Sequence, residues 1–265
     1  RQCVERIADG RHFEPRDIFQ HDGLWHCFEC HSRLSETDGR HMLDTLNGII
    51  DAAHRRLKCT DTILLTFGTA WVYETTADAA IVANCHKLPA LRFTRRRLSI
   101  SECVSHIEAA IRAIRLVAPD AKILLTVSPV RHIADGLHGN QLSKSTLLLA
   151  VDQVVKSSDH TDYFPSYELL IDDLRDYRFC AADMMHPSET ASDYVFERFA
   201  SAFFSAATLA LAARCAKITR RLRHRQLTAD DSAMQRFQDE TSLQLDKLLA
   251  EAPYLAEAID NITQK

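Results

Sequence analysis

A chain of 265 residues with 46% hydrophobic and 26% charged side chains has the length and composition of one large globular domain, or of a domain with an appended module. Its formal net charge of -4 removes the electrostatic argument for nucleic acid or an anionic membrane as partner. No apolar run reaches the roughly 18 residues that a membrane-spanning helix needs, so the chain reads as soluble.

Residues 1–40 are polar, carry His12, His21, His26 and His31, and lack a sustained period, which predicts loop with short helical pieces. Met42, Leu43, Leu46, Ile49, Ile50, Ala53 and Leu57 then recur at helical spacing and predict an amphipathic helix. The apolar run DTILLTF at 61–67, ended by Gly68, has the look of a buried parallel strand. The stretch through Pro89 reads as irregular. Val104, Ile107, Ala110, Ile111, Ile114 and Val117 mark a second helix that stops before Pro119. AKILLTVS at 121–128 is a second buried strand, a third helix spans 142–156, and 162–164 is a short third strand. Strands alternating with helices predict a parallel sheet between helical layers, an α/β/α arrangement over 1–205. In such sheets ligands bind at the carboxyl ends of the strands.

From Pro187 onward the chain reads as helical, anchored by Tyr194, Phe196, Phe199, Phe203 and Phe204. A helical extension over 206–265 follows, with a basic run of Arg220, Arg221, Arg223, His224 and Arg225 expected to be a solvated face. A break near 228–231 precedes a last amphipathic helix carrying Met234, Phe237, Leu245, Leu248 and Leu249.

Eight scattered cysteines in a chain of this length suit reduced thiols and a cytoplasmic setting better than a disulfide framework. Cys27-Phe28-Glu29-Cys30-His31 has the C-x-x-C-H spacing of haem attachment, and zinc held with His21, His26 or His31 is the alternative. No second cysteine pair with ligand spacing completes a metal site, so no metal or other cofactor is expected.

The chemistry-bearing segment is Asp183-Met184-Met185-His186-Pro187-Ser188. An Asp three residues before a His can hold the imidazole Nδ1-H while Nε2 faces outward, the base and orienting carboxylate of a nucleophilic site. Pro187, with its preset φ, suits the first position of a helix starting after His186. The structural alternative is an Asp that caps that helix beside an ordinary histidine. Gly68 at a strand end offers backbone N-H groups to a developing oxyanion, and Asn84 offers a side-chain amide, with Thr69 and His86 beside them as substrate contacts. Ser128 follows the second strand as a nucleophile would, but Pro129 stands where a nucleophile elbow takes glycine.

Five segments together resemble the GSCFA family: LLTFGTAWVYE at 64–74, VANCHKLP at 82–89, LTVSPVRH at 125–132, YFPSYE at 163–168 and DLRDYRF at 173–179. HDGLWH at 21–26 adds to the resemblance, which covers roughly residues 4–205. The family is similar to the SGNH (GDSL-like) hydrolases. The resemblance implies that Asp183 orients His186, that His186 is the general base, and that the nucleophilic serine lies in a G-S-C-F-A segment after a first strand. No such segment occurs in this sequence, and Arg1 reads as a start downstream of it. Where those hydrolases carry an Asn two residues after a Gly, this chain has Ala70 after Gly68.

The expected function is therefore an ester hydrolase or acyltransferase acting on an O-acylated small molecule or glycan, the chain alone folding poorly or lacking activity. The alternative is a non-catalytic binding or scaffold protein that keeps the fold.

Overall fold

The structure, a computed structural model, describes residues 1–223, 231–256, 258 and 259. It is mixed α/β, with a parallel three-stranded sheet flanked by helices and further helices towards the C-terminus. The chain divides into two compact units, residues 1–195 and 196–265.

The first unit begins with structure where the sequence predicted mostly loop. Helix α1 (Gln2–Asp9) ends at Gly10, whose φ of 61° lets its own N-H and that of Arg11 reach back to the carbonyls of Ile7 and Arg6. A hairpin follows, β1 (Phe19–His21) against β2 (Leu24–His26). Its turn residues Asp22 and Gly23 both have positive φ, 49° and 75°, the two-residue geometry that Asp-Gly favours. Helix α2 (Gly39–Leu57) starts where the Asp38 carboxylate accepts the His41 N-H at 2.8 Å. Its buried stripe Met42, Leu46 and Ile50 packs with Phe13, Ile18 and Cys27 into a small core.

Strand β3 (Thr62–Phe67) leads into a region that is not irregular. β4 (Trp71–Thr75), β5 (Ile81–Val82) and β6 (Phe93–Arg97) form an antiparallel sheet in the order β5-β4-β6. Trp71, Val72, Tyr73 and Thr75 are aromatic or β-branched and support a strand, but its partners disguise themselves: β5 is only two residues long and β6 carries three arginines. Helix α3 (Ile100–Val117) opens on a capping box, in which Ser99 Oγ accepts the Glu102 N-H and the Glu102 carboxylate accepts the Ser99 N-H.

Strand β7 (Lys122–Val127), helix α4 (Gly136–Ser157) and strand β8 (Thr161–Phe164) complete the parallel sheet, ordered β3-β7-β8. Phe67 lies opposite Val127 and Thr126 opposite Phe164, so the three strands end together. One face of the sheet, with Ile123, Leu125 and Val127 of β7, meets Ile107, Ile111 and Ile114 of α3 and Leu147, Val151 and Val154 of α4. β7 is buried on both faces, but β3, expected as a fully buried strand, is an edge strand whose side chains alternate. Ile63, Leu65 and Phe67 reach the core, while Leu64 on the other face is 50% exposed. A continuous apolar run cannot say which of its faces is covered. A short helix, α5 (Ser166–Glu168), runs into a π-helical turn over Leu169–Asp173. Helix α6 (Glu189–Phe203) then carries the chain out of the first unit.

In the second unit α7 (Ala206–Leu222) is capped by Ser205, whose Oγ accepts the Thr208 N-H, a break not foreseen in the helical reading from Pro187 onward. It lies against α8 (Asp231–Glu251). Arg221, expected on a solvated face, instead donates to Thr241 Oγ1, the Phe237 carbonyl and Glu240, with its guanidinium 4.1 Å from the Phe237 ring centroid. His224, Arg225 and positions 228–230 of the expected break lie outside the described residues. Among the described residues no helix is long and apolar enough to cross a membrane.

The two faces of the sheet predict different costs. Leu125→Ala, at a fully buried position, should lower the unfolding free energy by about 3 kcal/mol in urea titration. Leu64→Ala on the open face of β3 should cost about 1 kcal/mol or less.

Candidate active site

Because β3, β7 and β8 end in register, the loops that begin at Gly68, Ser128 and Pro165 emerge on one edge of the sheet. Lys144 of α4 fastens two of them. Its side chain is 0% exposed, and its Nζ donates to the Gly68 carbonyl and to the Ser128 carbonyl, each at 2.6 Å. Burial pushes its pKa down from 10.5 to about 8. The preceding residue, Ser143, accepts the Ala70 N-H at 2.7 Å and shares a 3.0 Å hydrogen bond with Thr69 Oγ1, which in turn accepts the Trp71 N-H. His132 comes from the loop after β7, where its N-H donates to Asn140 Oδ1 of α4. Burial first, and the Lys144 ammonium second, hold the His132 imidazole below its ordinary pKa.

The Asp183–His186 segment is a turn built by its own carboxylate. Asp183 Oδ1 accepts the N-H of Met185 at 2.9 Å and of His186 at 3.0 Å, while Oδ2 takes the His186 Nδ1-H at 2.5 Å. Met184 sits at φ 60° to close the turn, and the Ala181 N-H donates to the His186 carbonyl at 2.8 Å. The backbone N-H of His186 and its ring, with the Met185 N-H, draw the Asp183 carboxyl down to about 2. With Nδ1 engaged, Nε2 is the free nitrogen: it bonds to no described residue, and the side chain is 59% exposed.

The expected helix start at Pro187 needs correction. Pro187 pairs with Cys180 as an isolated bridge, Ser188 N-H donates to the Phe179 carbonyl, and Ser188 Oγ accepts the Ala191 N-H at 3.2 Å. Ser188 is therefore the cap and Glu189 the first helical residue. A serine side chain can satisfy an open helical N-H, which Pro187 cannot do. Leu170, Leu174 and Ala191 form a small core with Phe179 and Tyr194 from the segments on either side of the turn.

A cleft of about 210 Å³ joins this turn to the loop after β7, with Pro129, Arg131, Leu170, Tyr177, Met184 and Met185 among its walls. Arg131 stands 5.9 Å over the Tyr177 ring.

The other predicted residues divide. Gly68 and Thr69 stand at the end of β3, the Gly68 carbonyl taken by Lys144 and the Thr69 hydroxyl by Ser143. Asn84 and His86 sit against the segment that follows β2. Asn84 donates to Ser32 Oγ at 2.9 Å and accepts the His86 N-H at 2.8 Å, while its own N-H points to the Phe28 carbonyl. His86 is buried, its Nε2 donates to the Cys27 carbonyl at 2.7 Å, and its ring lies 4.6 Å from that of His26. Burial lowers its pKa. Ser128 Oγ accepts the Val130 N-H at 3.2 Å.

Ser143 and Lys144 escaped the sequence reading. A trace of them existed, because Lys144 falls at helical spacing on the stripe of Leu147, Val151 and Val154, where a charged residue demands a reason.

A family model described as the GSCFA family matches residues 1–199. The chain belongs to the GSCFA family. No curated protein and no solved structure matches it. Within this GSCFA chain the matched span takes in the three strand ends, the Lys144 tie and the Asp183–His186 turn.

The Lys144 tie has a pH signature. A lysine with pKa about 8 when folded and 10.5 when exposed penalises the folded state below pH 8, and the penalty fades as pH rises between those values. Urea midpoints measured from pH 7 to 10.5 should show wild type gaining on Lys144→Met across that window. A pH-independent difference would count against a strained ammonium.

Proposed function

We propose that the chain carries the base and orienting carboxylate of a serine ester hydrolase or acyltransferase acting on an O-acylated small molecule or glycan. The observation that carries this reading is the 2.5 Å bond from His186 Nδ1 to Asp183 Oδ2, which leaves Nε2 facing solvent with its lone pair available. The likeness of GSCFA segments to SGNH hydrolases supports the same assignment.

In this mechanism a serine hydroxyl attacks the ester carbonyl, and His186 Nε2 takes its proton. Asp183, ionised throughout the neutral range, stabilises the imidazolium and fixes the tautomer. In this reading backbone N-H groups at Gly68 and Thr69, where β3 ends, supply the donors for the developing oxyanion. Asn84 and His86 are left out of this step, because the Asn84 amide bonds to Ser32 and the His86 N-H and the His86 Nε2 to the Cys27 carbonyl. His186 then gives its proton to the leaving alkoxide, and water or an acceptor hydroxyl takes the acyl group by the reverse route. The cleft beside Met184 and Met185 has room for a short acyl group or one small ring.

A non-catalytic binding role is favoured by one observation, that no described serine hydroxyl meets His186 Nε2. Fluorophosphonate labelling separates the two. A longer chain that carries a G-S-C-F-A segment together with residues 1–265 should label, and His186→Ala should abolish it. Asp183→Asn should slow ester turnover by roughly 10²- to 10⁴-fold with little change in KM. Absence of labelling in the folded longer chain would leave the binding role.

A further inference from the structure

The Cys27 and Cys30 thiols lie apart from the turn at Asp183 and belong to a different piece of the first unit. They flank a tight turn in which the Cys30 N-H donates to the Cys27 carbonyl at 3.0 Å. Both side chains join the small core of Phe13, Ile18 and Met42. Cys27 is 1% exposed, whereas Cys30 is partly open to solvent.

The surroundings polarise the pair. The Cys30 thiol donates towards the Cys27 sulfur, which lowers the Cys27 pKa and raises that of Cys30. Burial and the Glu29 carboxylate oppose a charge on Cys27, while the Glu29 N-H and the Arg6 guanidinium favour it. Arg6, itself 2% exposed, is clamped on Glu29 by bonds of 2.6 and 3.1 Å from two of its nitrogens. Cys27 is thus the more acidic thiol of the two.

The turn also holds its neighbours, since the Cys27 carbonyl accepts His86 Nε2 and the Phe28 carbonyl accepts the Ala83 N-H. Metal binding is a poor use for it: among the described residues no three His, Cys, Asp or Glu side chains gather as ligands. His26 has both ring nitrogens engaged, on Ser35 and on the His21 carbonyl.

We propose that Cys27 and Cys30 are a dithiol–disulfide redox site that exchanges with low-molecular-weight disulfides. Cys30 meets the incoming disulfide because it alone of the two is reachable. Cys30 loses its proton to water, its thiolate attacks one sulfur of the small disulfide, and one small thiolate leaves and is protonated. Cys27 then loses its proton to water and attacks Cys30 Sγ, expelling the second thiolate. The balance is two protein thiols plus one small disulfide giving one protein disulfide plus two small thiols.

Glutathione redox buffers test this in the folded protein. After acid quenching and alkylation, tryptic peptide 17–33 holds both cysteines and reports their state directly. In wild type it should become lighter by two hydrogens and resist alkylation, at oxidised-to-reduced ratios where exposed Cys59 remains alkylatable. Cys27→Ser should leave Cys30 as a stable glutathione mixed disulfide, and Cys30→Ser should leave buried Cys27 unmodified. Cys3→Ser is the control, because Cys3 lies close enough to bear on Cys30, and it should not change the result. Peptide 17–33 retaining two alkylatable thiols in wild type at every ratio overturns the proposal, as does a Cys3–Cys30 disulfide in place of the local one. The wild-type result stands whether or not either serine variant folds.

Discussion

The loops on which the site depends are held by one buried ammonium. Lys144 reaches from α4 to the carbonyls that end β3 and β7, so the helix and two strands share a fixed point at the edge where ligands of parallel sheets bind. Burying an unpaired cation is costly, and two short hydrogen bonds offset only part of that cost. Ser143 beside it extends the grip to Ala70 and Thr69. A methionine would pack there without the penalty but would leave two strand-end carbonyls without a donor.

Against that fixed edge, the Asp183–His186 turn is preorganised by a different device. One carboxylate accepts two backbone N-H groups and a ring N-H, so the interactions that fold the turn also aim the imidazole. The ring needs no further element to choose its tautomer. Asp183 therefore carries two roles, and its removal would loosen the backbone of the turn along with the histidine.

Helices α2, α3 and α4 and the parallel strands were legible because their apolar residues recur at 3.6 or run unbroken over strand length. The Asp-Gly of the hairpin turn was also in plain view, but the flanking strands are only three residues each and give no period. The antiparallel sheet hid behind the two-residue β5 and the arginines of β6. Edge position defeats sequence reasoning for a physical reason: Thr62–Phe67 looks the same whether one or both faces are covered. Asp183 and His186 were found because their contact is local. Lys144 was missed because its partners lie 76 and 16 residues away and are backbone carbonyls, which leave no mark on composition.

The central claim is that Asp183 fixes the His186 ring with its proton on Nδ1 and its lone pair on Nε2. Side-chain 15N shifts of histidine-labelled protein at a pH where His186 is neutral read this tautomer directly. The predicted result is a protonated Nδ1 and a bare Nε2, reverting in Asp183→Ala towards the mixture of an exposed histidine. A neutral His186 carrying its proton on Nε2 in wild type would contradict the assignment, because such a ring has no lone pair to offer a nucleophile.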